Sequence, residues 1–589
     1  MRTPTLQYLY MQKPVTLIVV ICLLTVLPWI GLGDFATKGE PREAAVAVSM
    51  LEQGNWVLPH VYADEFAYKP PMAHWLMALF SYPQGEVTEL TSRLPSALAF
   101  TILVSGVLIF FGRRVTRFQE AFMAALILVT SIEIHRAAMT TRVDMLLTTF
   151  LTLGLFQLYR WEDEWELKGL PIAIPFLLGC ATLTKGPVGL VLPLFLFGIY
   201  LWLLQRYNTQ TIFKALLYVA VSSTFMPLLW YIAAWRQGGE DFLNVVLAEN
   251  FGRFFHIDLP NVTYELGHEK GFGYNLLTLL SGFIPWSVLL LFSLFGLSIR
   301  PLFQTIQQYF RNHGAQLRQM DKLQLFSLVV SCGVLLFFAI PSSKRSVYLM
   351  PAYPFISLFI ARYLLYLVEY HTKVIRFFAA FLFATTAVVW IACIMTCIGL
   401  IHPARMLSAY IQSSHTLAEC ELVANQLTNP DILTLLILGI VVVALITIGY
   451  QLFKKIHIKI LYATFFLTFG IHLLVDGIGV RAIRNGSSDR TFAEELRQEF
   501  PLDRENMYVM NDLLHYRNLY GLNFYMGNAF HNFATEQPSK GFLLCAEEDF
   551  DQIRQHYGTT YSFEMKKVSS HFSGEVKQPI LFCWFEKRP

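Results

Sequence analysis

Side chains able to carry out chemistry gather in a few short stretches that border apolar runs. Carboxylates stand at Asp34, Glu40 and Glu43, and Asp144 follows Arg142 by two positions. A carboxylate at the mouth of a cavity can accept a proton from an attacking hydroxyl or orient an acceptor. A proline in the first turn of a helix, with carboxylates around it, is also an ordinary helix start, so the stretch around Glu40 has a purely structural alternative.

Cations stand at the same places. Lys344 and Arg345 lie beside hydroxyls and Tyr348 between two apolar runs, and such groups at a helix start make a good phosphate clamp. Lys69 precedes a proline-started helix, and Lys185 lies in a tight turn between two apolar runs. A snorkelling lysine, a solvated loop or pairing with nearby carboxylates would each explain one of these cations without a ligand. Together the cations predict a cavity that holds an anion.

The chain that carries these residues is strongly apolar. Its 589 residues are 55% hydrophobic and 15% charged, with a mean hydropathy of +0.47. Soluble domains carry about 25% charged residues, so a soluble multidomain enzyme is excluded, and so is a disordered scaffold. The net charge of +3 is too small for a broad basic surface, which excludes nucleic acid as a partner. The sequence predicts a polytopic α-helical membrane protein.

A membrane-spanning helix needs about 20 mostly apolar residues, and about 13 stretches meet or approach that length. The bias of positive charge toward the inner face predicts a cytoplasmic N-terminus, which places the cations described above on the outer face. The predicted spans are 14–33, 91–111, 119–136, 141–160, 170–184, 186–205, 211–235, 274–298, 323–341, 346–369, 374–401, 431–453 and 458–479.

Two domains are predicted. Residues 1–479 form a transmembrane domain with two long outer loops: 33–90, which we expect to hold amphipathic helices at the membrane interface, and 236–273. Residues 480–589 alternate charged helical runs with short β-like runs, which predicts a small soluble α/β domain on the outer side.

Several site types find no support in the sequence. It has no glycine-rich phosphate loop, which a nucleotide-driven pump would need. No cysteine pair has zinc-like spacing with histidines, and Cys545 and Cys583 could pair. His256 and His268 flank an acidic, aromatic part of the second long loop, and each alone has a structural explanation.

At these residues the chain resembles the GT-C superfamily of lipid-phosphate-sugar glycosyltransferases. It is most similar to the bacterial aminoarabinose lipid A transferase and protein O-mannosyltransferase family, over roughly residues 10–360. The individual motifs are short, and their shared order makes the match specific. In chain order they are Glu40-Pro41-Arg42-Glu43-Ala44, Met50-Leu51, Gly54-Asn55-Trp56, Pro59-His60, Tyr68-Lys69-Pro70, Asp144, Thr184-Lys185-Gly186, Ser343-Lys344 to Tyr348, and Pro351.

The resemblance implies a GT-C fold and inverting transfer of a sugar from polyprenyl (undecaprenyl) phosphate. The reaction would take place at the periplasmic face of the bacterial inner membrane, and the acceptor would be lipid A or another cell-envelope glycan. A secreted protein is the alternative acceptor. Glu40 would be the base or acceptor orienter, with Asp34 and Glu43 as substitutes, and Asp144 would position the cations or the sugar. The donor phosphate would be bound by Lys69, Arg142, Lys185, Lys344, Arg345 and Tyr348, and the acceptor side would use Arg42, Asn250, His256 and His268.

The chain departs from the family pattern at three positions. Gly39 stands where the family has an aspartate, Tyr68 where the lipid A enzyme has a glutamate before Lys-Pro, and Asn250 where it has a histidine. These departures count against the divalent metal of some relatives, so no definite cofactor is predicted.

Two further function classes stay open. A transporter or flippase for lipid-linked sugars would show inverted repeats and charges near the bilayer midplane, whereas the charges here gather at outer helix ends. A non-catalytic assembly protein would tolerate replacement of Glu40 and Lys344. The predicted partners are therefore a polyprenyl-phosphate-linked sugar, its acceptor and membrane lipids.

Overall fold

The computed structural model describes residues 10–62, 65–67, 69–247, 270–271, 273–296, 320–341, 343–510 and 518–589. Helices dominate the first 500 residues, as the length of the apolar runs predicts. The first half contains α1 (Pro14–Val26), α2 (Gly39–Gln53), α3 (Met72–Ser81), α4 (Glu89–Gly112), α5 (Phe118–Thr130), α6 (Ile132–Ala138), α7 (Val143–Asp163), α8 (Ala173–Lys185), α9 (Val188–Leu204), α10 (Thr209–Leu247), α11 (Tyr274–Gly282) and α12 (Trp286–Gly296).

The second half begins with further long helices and ends in a sheet. Its helices are α13 (Lys322–Phe337), a 3₁₀ turn (Ser346–Ala352), α14 (Tyr353–Tyr370), α15 (Thr372–Cys397), α16 (Pro403–Leu407), α17 (Ser414–Thr428), α18 (Ile432–Lys454), α19 (His457–Leu474), a π-helix (Val475–Val480), α20 (Arg481–Gly486), α21 (Arg490–Glu499), α22 (Tyr520–Tyr525), α23 (Phe533–Glu536) and α24 (Phe550–Tyr557).

A helix lies at each of the thirteen predicted spans, but not all of them are long and apolar enough to cross a membrane. Among the described residues six helices meet that test, or up to eight if each of two bent pairs is one span. The bent pairs are α5 with α6, at 65°, and α11 with α12, at 106°. The chain is therefore a multi-helix membrane-type protein, and the count of thirteen spans stays a prediction.

The C-terminal strands form one five-stranded mixed sheet. β1 (Met507–Val509) pairs in parallel with β2 (His531–Asn532) and β3 (Lys540–Ala546). β5 (Ile580–Lys587) pairs antiparallel with β3 and with β4 (Tyr561–Val568), which gives the order β2-β1-β3-β5-β4. Cys545 and Cys583 lie in this sheet as free, buried thiols.

Helical segments lead from the last apolar helix toward this sheet. α19, the π-helix and α20 form one continuous run from His457 to Gly486, and α21 follows after a break at 487–489. The predicted boundary between residues 479 and 480 falls inside that run, and the division into two domains stays a prediction.

In the 33–90 segment, helix α2 is largely buried rather than open to its surroundings, whereas α3 exposes Leu79. Most of α2 from Glu40 to Met50 is buried, because α2 packs against both α3 and the C-terminal helix α22. α2 begins at Gly39 and ends where Gly54 adopts a φ of +70°, a conformation that favours glycine. This packing places Glu40 and Glu43 in the interior, one helical turn apart.

Short connections at one end of the long helices position the remaining polar residues. Lys185 ends α8, and the chain turns at Gly186-Pro187 directly into α9. Asp144 lies in the first turn of α7, and Lys344 and Arg345 precede the 3₁₀ turn before α14. We call the end of the helices where these residues lie the site end.

The close packing of α8 on α9 generates a test. A Cβ added to Gly189 would overlap the backbone of Ala181 and Thr182, whereas Gly439 in α18 has open space around it. We expect Gly189→Ala to destabilise the protein by about 1–3 kcal/mol, because backbone cannot move aside as a side chain can. Thermal unfolding in detergent measures this, with Gly439→Ala as the matched control. An equal midpoint for the two variants would contradict the packing described here.

Candidate functional site

Glu40 is buried beneath two arginines. Its carboxylate accepts a hydrogen bond from Arg93 Nε at 2.8 Å and from the Thr141 backbone amide at 3.0 Å, and Arg484 lies 3.2 Å away. Arg93 also donates to the carbonyls of Ile30 and Gly33. Burial alone would raise the pKa of Glu40, but the two guanidiniums and the Thr141 amide lower it to about 2. Glu40 is therefore a permanent anion that ties three chain segments together.

Glu43 lies at a small open recess. One carboxylate oxygen pairs with Lys69 and with Arg42, at 3.0 Å from the latter, and the other lies 3.0 Å from Nε2 of the buried His74. The recess is narrow, with room for about one water molecule, and is lined by Arg42, Glu43, Val46, Val61, Ala67, Lys69 and His74. Glu43 is the carboxylate that lines this recess, and its side chain is 4% exposed.

The charges around this recess shift one another's protonation. Burial opposes the ionised form of Glu43, but Lys69, His74 and Arg42 outweigh it and hold its pKa well below the usual range. Burial lowers the pKa of Lys69 to about 8, although Glu43 acts in the opposite direction. Lys69 is therefore charged at neutral pH and loses its charge in mildly alkaline solution.

A second charged group lies next to the first. Asp144 pairs with Lys185, whose ammonium also lies 4.5 Å from the centre of the Tyr348 ring. Asp144 interacts electrostatically with Lys69 and Arg142 as well, so the two groups form one continuous charged region. The ion-pair partner of Asp144 is therefore Lys185 rather than Arg142, two positions earlier in the chain.

Three cations at the site end form no ion pair with a carboxylate among the described residues: Arg142, which interacts with Asp144 only at longer range, Lys344 and Arg345. Lys344 is only 6% exposed and donates to the Lys270 carbonyl at 3.1 Å. Arg142 is half-buried, with its guanidinium 3.3 Å from the point that a Cβ on Gly39 would occupy. Arg345 is half-buried and interacts electrostatically with Lys185. The site thus carries positive charge that described carboxylates do not offset.

The structure separates the predicted site residues into three sets. Arg42, Glu43 and Lys69 border the recess, and Arg142, Asp144, Lys185, Arg345 and Tyr348 form the neighbouring group, with Lys344 next to Arg345 in the chain and bonded to the Lys270 carbonyl. Glu40 and Asp34 lie on the side of the C-terminal segment, where Arg490 holds Asp34 at 2.7 Å. Asn250, His256 and His268 lie outside the described residues, as does Tyr68.

Sequence reasoning missed His74, Arg484 and Arg490. His74 falls on α3 one helical turn after Pro70, so helical spacing could have placed it near Lys69. Arg484 and Arg490 contact residues more than 400 positions earlier, at Glu40 and Asp34, and no local pattern signals such contacts.

The described residues offer no metal site. No group of three or more histidine, cysteine or acidic side chains could hold an ion in the described ranges. Glu40, Glu43 and Asp144 are each already paired with cations. The arrangement fits an anionic ligand better than a cation.

The chain is similar in sequence to lipid-phosphate-sugar transferases. Residues 68–231 match the profile of the dolichyl-phosphate-mannose-protein mannosyltransferase family. An undecaprenyl phosphate-alpha-4-amino-4-deoxy-L-arabinose arabinosyl transferase of Pectobacterium atrosepticum is 24% identical over 363 residues, which are 60% of this chain and 59% of that protein. An uncharacterized protein of Aquifex aeolicus is 27% identical over 359 residues, 60% of this chain and 64% of that protein. The chain thus spans about three fifths of these relatives' lengths.

The fold is also that of a solved structure of this kind. ArnT from Cupriavidus metallidurans, in a crystal structure bound to undecaprenyl phosphate, superposes with a TM-score of 0.68 at 16% identity and covers 97% of each chain. Its structure in the apo state gives a TM-score of 0.67. The resemblance to the GT-C glycosyltransferases that the sequence predicts is confirmed, and the GT-C fold with it.

The pairing of Glu40 yields a stability prediction. Glu40→Gln leaves the buried Arg93 and Arg484 without their counter-charge, and breaking a buried pair costs about 3–5 kcal/mol. Glu164→Gln, which removes a half-exposed partner of Arg114 and Arg160, is expected to cost about 1 kcal/mol or less. Unfolding of the two variants in the same detergent compares them. Equal stability would show that Glu40 does not hold the segments together.

Proposed function

We propose that this protein is an inverting glycosyltransferase that moves a sugar from polyprenyl (undecaprenyl) phosphate to an acceptor at the periplasmic face of the bacterial inner membrane. The observation that carries the proposal is the surplus of cations at the site end. Arg142, Lys344 and Arg345 have no described carboxylate partner, and Lys185 and Lys69 lie beside them. Such a surplus suits a ligand that is negatively charged when it binds and gains further negative charge when it departs as the leaving group.

The leaving group explains why the cations are needed. When the bond between the anomeric carbon and the phosphate oxygen breaks, the lipid phosphate takes the electron pair and becomes a dianion. Preorganised cations stabilise the charge that develops in the transition state. We assign this role to Lys69, Arg142, Lys185, Lys344 and Arg345, with Tyr348 packed against Lys185. The lipid tail would lie along the apolar helices while its phosphate stays at their polar end.

On the acceptor side we place Glu43 rather than Glu40. Glu43 borders the recess, whereas Glu40 is held on all sides by Arg93, Arg484 and the Thr141 amide. Glu43 would orient the acceptor as the acceptor oxygen attacks from the face opposite the phosphate, and the proton of that oxygen would pass to water, because the low pKa of Glu43 makes its carboxylate a weak base. His74 would hold the second carboxylate oxygen in place. Asp144 keeps Lys185 in position, and Asp34 pairs with Arg490 away from the recess.

The proposed acceptor is lipid A or another cell-envelope glycan, in line with the arabinosyl transferases among the relatives. A protein hydroxyl is the alternative, since the matched family profile is that of protein mannosyltransferases. A flippase is disfavoured because the charged groups lie at helix ends rather than at mid-helix positions within the apolar spans.

Reconstitution tests the proposal. The full chain in vesicles would be given an undecaprenyl-phosphate-linked sugar together with lipid A, a glycan or a serine-rich peptide. We expect release of undecaprenyl phosphate and a matching gain in mass of one acceptor. Stable donor with every acceptor, under conditions where the protein is folded, would contradict the proposal.

Removal of one surplus cation should impair the chemical step. Arg345→Gln and Arg142→Gln are each expected to lower kcat/KM for the donor about 100-fold, because one fewer group stabilises the leaving phosphate. Lys454→Gln, a cation at the end of α18 far along the chain from the site, is the matched control. Steady-state kinetics with the same donor provide the comparison. Unchanged kcat/KM in both arginine variants would remove these residues from the phosphate site.

The pKa of Lys69 predicts a pH limit. Lys69 is charged below a pKa of about 8 and neutral above it, so donor affinity should fall as pH rises through that value. Arginine keeps its charge at every accessible pH, so Lys69→Arg should move this alkaline fall upward by more than one pH unit. Undecaprenyl phosphate binding at a series of pH values measures the shift. An identical alkaline limb in the two proteins would assign the fall to another group.

A further inference from the structure

The C-terminal segment holds the site together from one side. We propose that Arg484 is a positioning residue that sets the geometry of the phosphate site through Glu40. The segment after residue 480 therefore contributes to the function of the site. This inference rests on the proposed function. It assigns a role to a part of the chain that lies beyond the likeness over residues 10–360.

Arg484 contacts Glu40 directly. Arg484 lies in α20, and one of its guanidinium nitrogens is 3.2 Å from a Glu40 oxygen. Its aliphatic stem passes Gly33, where a Cβ would lie 3.2 Å from Arg484 Cδ. Gly33 has a φ of +150°, so a side chain there would be strained as well as crowded. The chain near Gly33 is thus shaped to let this arginine reach Glu40.

Glu40 and its neighbour in turn contact the residues of the proposed phosphate site. Glu40 accepts a hydrogen bond from the backbone amide of Thr141, the residue before Arg142. Arg142 is one of the cations without a described carboxylate partner, and its guanidinium lies against Gly39, the residue before Glu40. A shift of Glu40 would therefore move both the backbone and the side chain of Arg142.

A third contact anchors Arg484 to the helix that leads into the same loop. Arg484 interacts electrostatically with Asp476, whose carboxylate is 2.9 Å from Nε2 of His135 on α6. The His135 ring stacks on His472 with 4.1 Å between centres. Asp476 lies in the π-helix Val475–Val480, and π-turns within helices are rare and frequent at functional sites. The extra residue of this turn fits a role in aiming Asp476 at His135.

The C-terminal segment also contacts the residues that precede α2. Arg490 contacts Asp34 at 2.7 Å and Glu89 at 3.1 Å. The Tyr525 hydroxyl donates to Glu89 at 2.7 Å and accepts from the Phe35 amide at 2.8 Å. The segment that precedes Glu40 is therefore fixed at several points, which leaves Arg484 to define where the carboxylate itself lies.

The test compares three variants of the full chain. Arg484→Gln should lower kcat about 100-fold, the loss that a displacement of about 1 Å can cause. Arg484→Lys keeps a cation beside Glu40 and should recover at least tenfold of that loss. Arg481→Gln is the matched control, because Arg481 lies one turn earlier on the same helix and pairs with Asp431 rather than with the site. Its kcat should stay within twofold of the wild type.

A double variant separates positioning from simple destabilisation. If Arg484 acts through Arg142, Arg142→Gln with Arg484→Gln should be no more than threefold worse than Arg142→Gln alone. A 100-fold further loss, or an Arg484→Gln kcat within twofold of the wild type, would overturn the inference. Equal losses in Arg484→Gln and Arg481→Gln would overturn it too, because they would indicate a general structural role.

A binding measurement keeps this inference distinct from the proposed function. We expect Arg484→Gln to weaken the binding of undecaprenyl phosphate about tenfold and Arg481→Gln to leave it unchanged. A wild type that binds this lipid but transfers no sugar would refute the proposed function, while the binding series would still decide the role of Arg484. Equal affinities in the wild type and Arg484→Gln would refute the positioning role even if transfer is observed.

Discussion

A charge that is removed from water must be stabilised by an opposite charge or by hydrogen bonds. At the site end this constraint applies above all to Glu40. Its carboxylate is 2% exposed and is shared by Arg93, Arg484 and the Thr141 amide. These partners come from α4, from the C-terminal segment and from the loop before α7. One buried carboxylate therefore fixes the relative positions of segments that are far apart in the chain.

The same constraint explains the net charge of the site. Some of its cations have no counter-charge within the described part of the chain. Glu43 is offset by Lys69 and Arg42, and Asp144 by Lys185. Arg142, Lys344 and Arg345 are left over among the described residues, at the polar end of an apolar bundle. Paired charges build the framework, and the surplus is available to a phosphate. A lipid-linked substrate suits this arrangement because its tail and its phosphate need these two environments.

Many of the helices and several charged residues at their ends could be predicted from the sequence. Membrane helices are recognised by their length and hydropathy, and charged residues beside them are rare enough to be informative. Lys344, Arg345 and Arg142 were predicted as an anion site on that ground, and this assignment stays a prediction. The base assigned to Glu40 illustrates the limit. Local spacing shows that a carboxylate begins a helix, but its burial under Arg484 depends on a contact 444 positions away. Choosing between Glu40 and Glu43 therefore required the tertiary structure.

The central claim is that the surplus cations serve a lipid phosphate that leaves a transferred sugar. Mass spectra of the polyprenyl-phosphate and envelope-lipid fractions test it most directly, from cells with the wild-type protein, without it, and with Arg142 and Arg345 both replaced by glutamine. The account predicts that a lipid-linked sugar accumulates in the last two strains while one envelope component loses the mass of that sugar. Identical spectra in all three strains would contradict it.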